Sequence, residues 1–340
     1  MFEKLKEIQA QSFKNFLPQN SHELEWSTVS NNTDKLNNDY TFAVTNYHLA
    51  YLASHYQVIN ASIILLSNNK PIAIWPLNLA KINDNWQIQS HCKGIMPPLF
   101  SSQLSDKHKK AIYKQCLSFI SRCQQLFDIA TLESTFEPNT DALWLQTIAP
   151  HISNINYKHT LYLNLEQSTE KIKASVRRRY RSYINKGLDL WDYSIGTSIS
   201  ADEIEEIRLF HVKTAGKETR SVETWQQQRN MVNNNQAFVV TLRDKQQTLI
   251  GAAIFNTTDS QGMYSVGIYE RSLFELPIGH TVQMLAIEHM KKIGIEDYFI
   301  GYRDYEFEYH QPSEKQSAIG YFKEGFSNQI KLEANAKLIF

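Results

Sequence analysis

The sequence predicts an α/β protein, with α+β character, made of two related domains at residues 1–160 and 161–340. Each domain is expected to hold a mixed central sheet flanked by helices. A chain of 340 residues is long for one hydrophobic core and comfortable for two. Both halves also run through one order of elements: helices, a meander, a long helix, a strand, a helix and a strand. Such alternation of helical and strand patterns is typical of layered α/β domains.

The first half predicts helices around several short strands. Residues 42–54 and 107–127 have helical apolar spacing, and the second stretch is long enough to exclude a strand. Asn68-Asn69 predicts a hairpin turn, because asparagine tolerates a positive φ. The other predicted elements are strands at 58–66, 71–79, 86–91 and 129–132, a loop at 93–100 and a helix at 142–148.

An alternating strand at 154–165 ends the first half. A helix at 168–186 follows, capped by Ser168 or Thr169 and stopped by Gly187. The remaining predicted elements are a strand at 188–195, helices at 201–217 and 222–233, a meander at 237–243, 248–256 and 262–268, a helix at 279–293, a strand at 297–300, and a terminal helix followed by a strand at 327–332.

The amino-acid composition limits the kinds of partner that the protein can bind. The chain has 35 basic and 35 acidic residues and a formal net charge of zero, which argues against DNA or another long polyanion bound by bulk charge. No run of about 18 apolar residues occurs, so no transmembrane helix is predicted. The first residues lack an apolar core of signal-peptide length. We therefore expect a cytoplasmic protein.

The three cysteines predict neither a disulfide nor a metal site. Cys116 and Cys123 are seven residues apart in a helical pattern, which separates their Cα atoms by about 10 Å. Cys92 has no nearby partner in sequence. Because no Cys-x-x-Cys pair or histidine-rich metal spacing occurs, we expect reduced thiols and no metal.

Lys323 is the most informative candidate residue, because it lies between Tyr321, Phe322 and Phe326. Lysine is costly to bury alone. One interpretation places it where a hydrophobic wall meets an anionic group. The alternative is a lysine on a surface helix whose stem packs while its amine stays in water.

Two further groups of charged residues are candidates. Arg177 and Arg181 are four residues apart and share a helix face, which suits bidentate contacts to phosphate, although a solvated basic face explains them equally. If residues 304–310 are extended, Asp304, Glu306, Glu308 and His310 share one side. Such a row can raise the pKa of one carboxyl and supply a base for an amine, with Asp304 the best candidate. A solvated loop edge is the alternative.

A run of motifs over residues 160–330 resembles the GNAT-like acyltransferase superfamily. The Phe-Lys-Glu-Gly-Phe segment at 322–326 is similar to the end of the Fem-type aminoacyltransferases and their acetyltransferase relatives. In the same order as in that family come the arginine-rich residues 177–187, strands at 251–254 and 264–269, the segments 277–280 and 294–301, and the lysine segment. The resemblance implies two tandem GNAT-like domains, with the active site in the second.

The resemblance also implies where an acyl donor binds. In the GNAT fold the donor lies against the meander, where two strands splay apart, and phosphate meets the N-terminus of the next helix. That helix would begin near residue 277, where Gly279 lets a ligand approach the backbone. His280 is either a general base or a packing and capping residue. Tyr264 and Tyr269 either protonate a leaving group or serve the strand structurally.

The function implied by the resemblance is transfer of an acyl group to an amine of a sugar nucleotide or a cell-envelope or surface-glycan precursor. Lys323 would stabilise charge at the transferred acyl group, with Phe322 beside it. The glycine pattern typical of pyrophosphate binding is missing around Gly279. The donor therefore stays open between acyl-coenzyme A, which we favour, and aminoacyl-tRNA for peptidoglycan precursors. A non-catalytic protein that binds sugar nucleotides is the third hypothesis.

Overall fold

The computed structural model describes residues 2–13, 16–20, 22–33, 35–101, 104–137, 140–308 and 311–340. The helices are α1 (Phe2–Ser12), α2 (Glu23–Ser30), α3 (Phe42–Ala53), α4 (Asp106–Phe127), α5 (Ala142–Ile148), α6 (Thr169–Ser175), α7 (Arg178–Leu190), α8 (Ala201–Ala215), α9 (Val222–Asn233), α10 (Ile278–Lys292) and α11 (Glu314–Glu324). Within these ranges, no helix combines the length and the apolar character that crossing a bilayer requires.

The strands confirm the α/β class. They are β1 (Leu17–Asn20), β2 (Gln57–Asn60), β3 (Ile63–Ser67), β4 (Lys70–Trp75), β5 (Asn78–Ile82), β6 (Asn85–Gln89), β7 (Leu99–Phe100), β8 (Leu132–Phe136), β9 (Ile152–Asn164), β10 (Asp192–Gly196), β11 (Ala237–Arg243), β12 (Leu249–Thr257), β13 (Gln261–Tyr269), β14 (Asp297–Arg303) and β15 (Gln329–Leu338). The chain forms two compact units, Met1–Lys158 with Leu332–Phe340, and His159–Lys331.

The first unit holds antiparallel sheets around the long helix α4. One sheet has the order β1-β3-β4-β7, and a second has the order β2-β5-β6. The last strand, β15, pairs its residues 334–338 with β8. The C-terminal residues 332–340 therefore belong to the first unit, whereas the sequence placed them in the second domain. Trp75, Phe119 and Trp144 are fully buried in the core that α4 covers.

Two predicted strands of this unit are each divided, which the sequence analysis missed. Residues 58–66 form β2 and β3, because the Asn60 side chain accepts a hydrogen bond from the Ser62 N–H and turns the chain. Residues 71–79 form β4 and β5, separated at Pro76, which has no N–H for a ladder. The predicted turn at Asn68-Asn69 is confirmed, since both residues have positive φ, 49° and 61°.

The second unit is built on a mixed sheet with the order β10-β11-β12-β13-β14-β9. All its neighbouring pairs are antiparallel except β13 with β14, which are parallel. The meander β11-β12-β13 and the helix α10 match the predicted elements to within one or two residues. Phe238, Phe255 and Tyr298 are buried in the core between the sheet and α10.

The predicted helix at 168–186 is wrong as a single element. Ser168 caps its start as predicted, accepting a hydrogen bond from the Lys171 N–H, but the chain leaves helical geometry at Val176 and Arg177. The second helix, α7, continues through Gly187 to Leu190, so β10 begins later than expected. Gly187 is no C-cap, because it lies inside α7 where α10 packs.

Gly187 determines how closely α7 approaches α10. A Cβ at this position would collide with the Thr281 hydroxyl. Gly187→Ala is expected to destabilise the protein by about 1–3 kcal/mol through overpacking, measured as a lowered urea midpoint. Thr281→Ala in the same chain should recover part of that loss, because it removes the colliding oxygen. Strictly additive effects of the two substitutions would contradict the contact.

Candidate active site

An opening between β13 and β14 marks the candidate site. The two strands pair only over residues 261–263 and 297–299, although β13 continues to Tyr269 and β14 to Arg303. A register shift against β12 also leaves Ser265 outside the ladder. Beyond residue 263, β13 therefore presents backbone groups that β14 does not bind. This is the strand separation in which the sequence analysis expected an acyl donor.

Lys323 reaches into this opening from α11. Its Nζ lies 5.4 Å from the ring centroid of Tyr264 on β13. On the other side, a Cβ at Gly301 of β14 would collide with Nζ. Gly301 has φ of +136°, a backbone conformation that L side chains rarely adopt. The glycine thus provides both the backbone geometry and the space that the amine occupies.

The surroundings of Lys323 weaken its hold on a proton but leave the amine charged at neutral pH. Burial lowers the pKa of Lys323 to about 8, and the negative charge of Asp304 partly opposes that effect. Among the described residues, no hydrogen bond or ion pair to Nζ is recorded. At neutral pH the group is therefore mainly an ammonium ion without a bound carboxylate. Such a cation is available to a developing negative charge.

The residue after Lys323 fixes the end of α11. Glu324 accepts hydrogen bonds from Tyr305 Oη at 2.9 Å and from Arg303 Nε at 3.3 Å, and its carboxylate lies 3.6 Å from Arg177. Gly325 follows, and a Cβ there would collide with the ring of Tyr180. These contacts hold the lysine segment against β14 and against the start of α7.

Tyr264 and Tyr269 form a half-buried pair beside the opening. Their hydroxyl groups are 2.9 Å apart. Burial raises the pKa of Tyr264 to about 12, and hydrogen bonds from Tyr269 and Gln283 act against that rise. Burial also raises the pKa of Tyr269. Both phenols therefore stay protonated at neutral pH and can donate a proton or a hydrogen bond.

The start of α10 is a possible anion site. Pro277 at the N-cap position supplies no side-chain hydrogen bond, and in the described part of the chain no partner is recorded for the backbone N–H groups of Gly279 and His280. Free N–H groups at a helix start bind phosphate oxygens. The ring of Phe322 lies over the Cα of Gly279, however, at 3.1 Å from the position of a Cβ. Gly279 therefore makes room for an aromatic ring of this chain.

His280 packs among aromatic rings. Its ring centroid lies 4.3 Å from Tyr180, 5.0 Å from Phe322 and 5.4 Å from Tyr183. Burial, assisted by the charge of Arg179, lowers the pKa of His280 to about 4. A base this weak is poorly matched to proton transfer near neutral pH. The geometry favours packing, the second of the two roles proposed from the sequence.

Arg177 and Arg181 do not form the paired face that the helical spacing suggested, because Arg177 lies outside α7 as its N-cap. The Arg177 guanidinium donates to Tyr180 Oη at 2.8 Å and to the Tyr321 carbonyl at 2.9 Å, and it lies 3.8 Å from the Tyr321 ring. Arg181 donates to carbonyl groups at the end of α6. Both guanidinium groups thus already bind groups of this chain, and their contacts with phosphate stay a prediction.

The prediction that residues 304–310 form an extended segment with their acidic side chains on one side is wrong. The chain turns after Asp304, and the Glu308 N–H donates to the Tyr305 carbonyl. Asp304 acts on Lys323 through its charge. Glu306 is exposed. Glu308 contacts a histidine of β9, considered below, and His310 lies outside the described residues.

Sequence reasoning missed several residues that shape this site. Gly301 and Glu324 stand in the quoted motifs, but their roles depend on strand separation and helix placement. Gln283 is fully buried on α10 and accepts a 2.7 Å hydrogen bond from Tyr298. The sequence signal for Gln283 was a glutamine within an apolar helix face, where a polar side chain needs a hydrogen-bond partner.

Replacing Lys323 by methionine should stabilise the protein. An unfolded lysine has a pKa of about 10.4, so between pH 8 and 10.4 the native state binds fewer protons and stability rises with pH. Below pH 8 the cost of the buried charge is fully present. Because the side chain is partly exposed, this cost is reduced. We expect Lys323→Met to raise the free energy of unfolding by about 1 kcal/mol at pH 7, or Tm by roughly 2–4 °C, and by less at pH 10.

The exposed Lys315 on the same helix is the matched control, and Lys315→Met should change Tm little. An equal or lower Tm for Lys323→Met than for wild type at pH 7 would show that the amine is well solvated.

No family model and no curated protein matches this chain. Solved structures do match it. FemX has 10% sequence identity, a TM-score of 0.61 and coverage of 94% of this chain and 96% of its own. The C-terminal domain of a putative lysylphosphatidylglycerol synthetase from Agrobacterium fabrum has 10% identity, a TM-score of 0.57 and coverage of 93% and 92%.

A tandem GNAT protein from the clavulanic acid biosynthesis pathway has 12% identity, a TM-score of 0.52 and coverage of 95% of this chain and 98% of its own. Identities this low establish the fold and leave the substrate open. Because these likenesses span nearly the whole chain, the protein has the tandem GNAT-like fold that its motif order resembles.

Proposed function

We propose that the protein is an N-acyltransferase that moves an acetyl or aminoacyl group from an activated donor to an amine. The acceptor amine is carried by a sugar nucleotide or another cell-envelope or surface-glycan precursor. One observation carries the proposal: the Lys323 ammonium group projects into the opening between β13 and β14. This is where unpaired strand groups can bind the amide-bearing arm of a donor.

The arrangement suits nucleophilic acyl substitution. As the amine nitrogen bonds to the acyl carbon, negative charge develops on the acyl oxygen, and the Lys323 cation stabilises it. The half-buried Tyr264–Tyr269 pair supplies a proton donor for the leaving group. Asp304 keeps Lys323 protonated by its charge. Phosphate contacts at Arg177, Arg181 and the start of α10 remain predictions.

The fold likeness to FemX, to a lysylphosphatidylglycerol synthetase domain and to a tandem GNAT protein supports the acyltransferase class. The likeness does not distinguish acyl-coenzyme A from aminoacyl-tRNA as the donor. Neutral net charge argues against extensive contact with tRNA. Acyl-coenzyme A is therefore the donor that we test first.

The experiment combines donor binding with turnover. Acetyl-coenzyme A should raise the Tm of the wild-type protein, and acetyl transfer to glucosamine should be detectable by mass spectrometry and by release of free thiol. Lys323→Met should lower kcat by about 10²- to 10³-fold, the usual effect of removing one donor to an oxyanion. Lys315→Met should leave kcat unchanged.

Full turnover by Lys323→Met would end the role assigned to the lysine. Absence of a thermal shift with millimolar acetyl-coenzyme A would exclude that donor. The test would then be repeated with aminoacyl-tRNA, and failure of both donors would favour a non-catalytic binding protein.

A further inference from the structure

A second polar pair lies on β9, which neighbours β14 on the side away from the opening, and in the turn after β14. His159 on β9 donates from Nδ1 to Glu308 Oε1 at 2.6 Å, and the two side chains are 22% and 10% exposed. Because an ionised carboxylate can only accept, the imidazole tautomer that makes this hydrogen bond carries its proton on Nδ1 and its lone pair on Nε2. A base held by a third group in this way is a recurring device of proton-transfer sites.

The strand register places this pair on the lysine side of the sheet. In the antiparallel β9–β14 ladder, His159 is opposite Arg303 and Leu161 is opposite Gly301. Residues directly opposite in such a ladder point to one face, as do residues two apart. His159 therefore shares a face with the amine of Lys323, displaced by two residues, or about 7 Å, along the strands and by one strand, or about 5 Å, across them.

Contacts of α11 independently support this placement. Gly320 on α11 packs against the Arg303 side chain at 3.1 Å from the position of a Cβ. Tyr305, directly after Asp304, donates to Glu324 on the same helix. The ring of Tyr305 in turn lies 4.9 Å from the His159 ring, edge to face. Helix, strand end and imidazole thus form one connected cluster within the second unit.

An exposed aromatic surface adjoins the imidazole. The rings of Tyr305 and Phe307 stack at 5.1 Å with an interplanar angle of 10°, and Phe307 is 78% exposed. The turn closed by the Glu308 N–H holds both rings beside His159. A flat apolar face in water gains stability when a ring covers it. A base next to such a face suits a small polar molecule that carries its amine on a ring.

We propose that His159 is the general base for the acceptor amine and that Glu308 positions its imidazole, an inference that rests on the proposed function. Phe307 supports the ring of an amino-sugar acceptor. The amine nitrogen forms the bond to the acyl carbon while the bond from that carbon to the donor's sulfur breaks. His159 Nε2 takes the proton that the nitrogen loses and passes it to solvent, and the sulfur leaves as a thiolate that takes up a proton.

Two residues favoured from the sequence are less suited to this step. The charge of Asp304 acts on Lys323. Aromatic rings enclose His280, and this burial lowers the pKa of its imidazole. The His159 imidazole instead has an orienting carboxylate and a partly exposed ring.

The first test needs no acyl donor. In full-length protein labelled with ¹⁵N-histidine, the imidazole signals of His159 are assigned by their loss in His159→Gln. We expect the Nδ1–H tautomer, and a saturable shift of the Nε2 signal on titration with glucosamine that Phe307→Ala weakens at least fivefold. The opposite tautomer, or no shift with glucosamine, would overturn the proposal whether or not the protein proves to be a transferase.

The second test uses turnover. With acetyl-coenzyme A and glucosamine, His159→Gln should lower kcat by about 10²- to 10⁴-fold without changing the thermal shift caused by the donor. Glu308→Gln should lower kcat less and change the tautomer signal, and Glu306→Gln on the same turn is the matched control. Wild-type kcat in His159→Gln would overturn the proposal. A wild-type protein that binds no donor would refute the proposed function instead.

Discussion

The placement of one amine is the constraint on which the candidate site depends. Lys323 can enter the sheet only because β14 carries no side chain at Gly301 and because β13 and β14 stop pairing after three residues. A desolvated ammonium without a bound carboxylate costs stability. The structure keeps it there by fixing the next two residues, Glu324 and Gly325, against β14 and α7.

The contacts that fix Glu324 and Gly325 also explain why many arginine and aromatic contacts lie at the start of α7. Arg177 binds Tyr180, the Tyr321 carbonyl and Glu324, so it joins α7 to the end of α11. A network of this kind holds the amine with little freedom, and fixed charges are what transition-state stabilisation requires. Arg177, which the sequence suggested as a phosphate contact, is in the free protein a support of the lysine segment.

Much of the fold follows from local patterns. The meander, α10 and α4 have strong periodicity, and Ser168 and Asn68-Asn69 carry the cap and turn chemistry that the structure shows. The errors occur where tertiary contacts override local pattern. Gly187 looks like a helix end but serves close packing against Thr281.

The candidate site was partly predictable for the same reason. Lys323, Tyr264 and Tyr269 stand in motifs whose order suggested their proximity, and the structure brings them together at the opening. His159 and Glu308 are 149 residues apart, and only the β9–β14 register joins them. No local signal encodes such a register, nor the turn that ends the row of acidic residues after Asp304.

The most direct measurement of the central claim is the pKa of Lys323 itself. Lysine labelled with ¹³C at Cε can be titrated by NMR, with the signal of Lys323 assigned by its loss in Lys323→Met. The account predicts a pKa of about 8, because burial between β13 and β14 outweighs the charge of Asp304. A pKa near the ordinary lysine value of about 10.4 would place the amine in solvent and contradict the account.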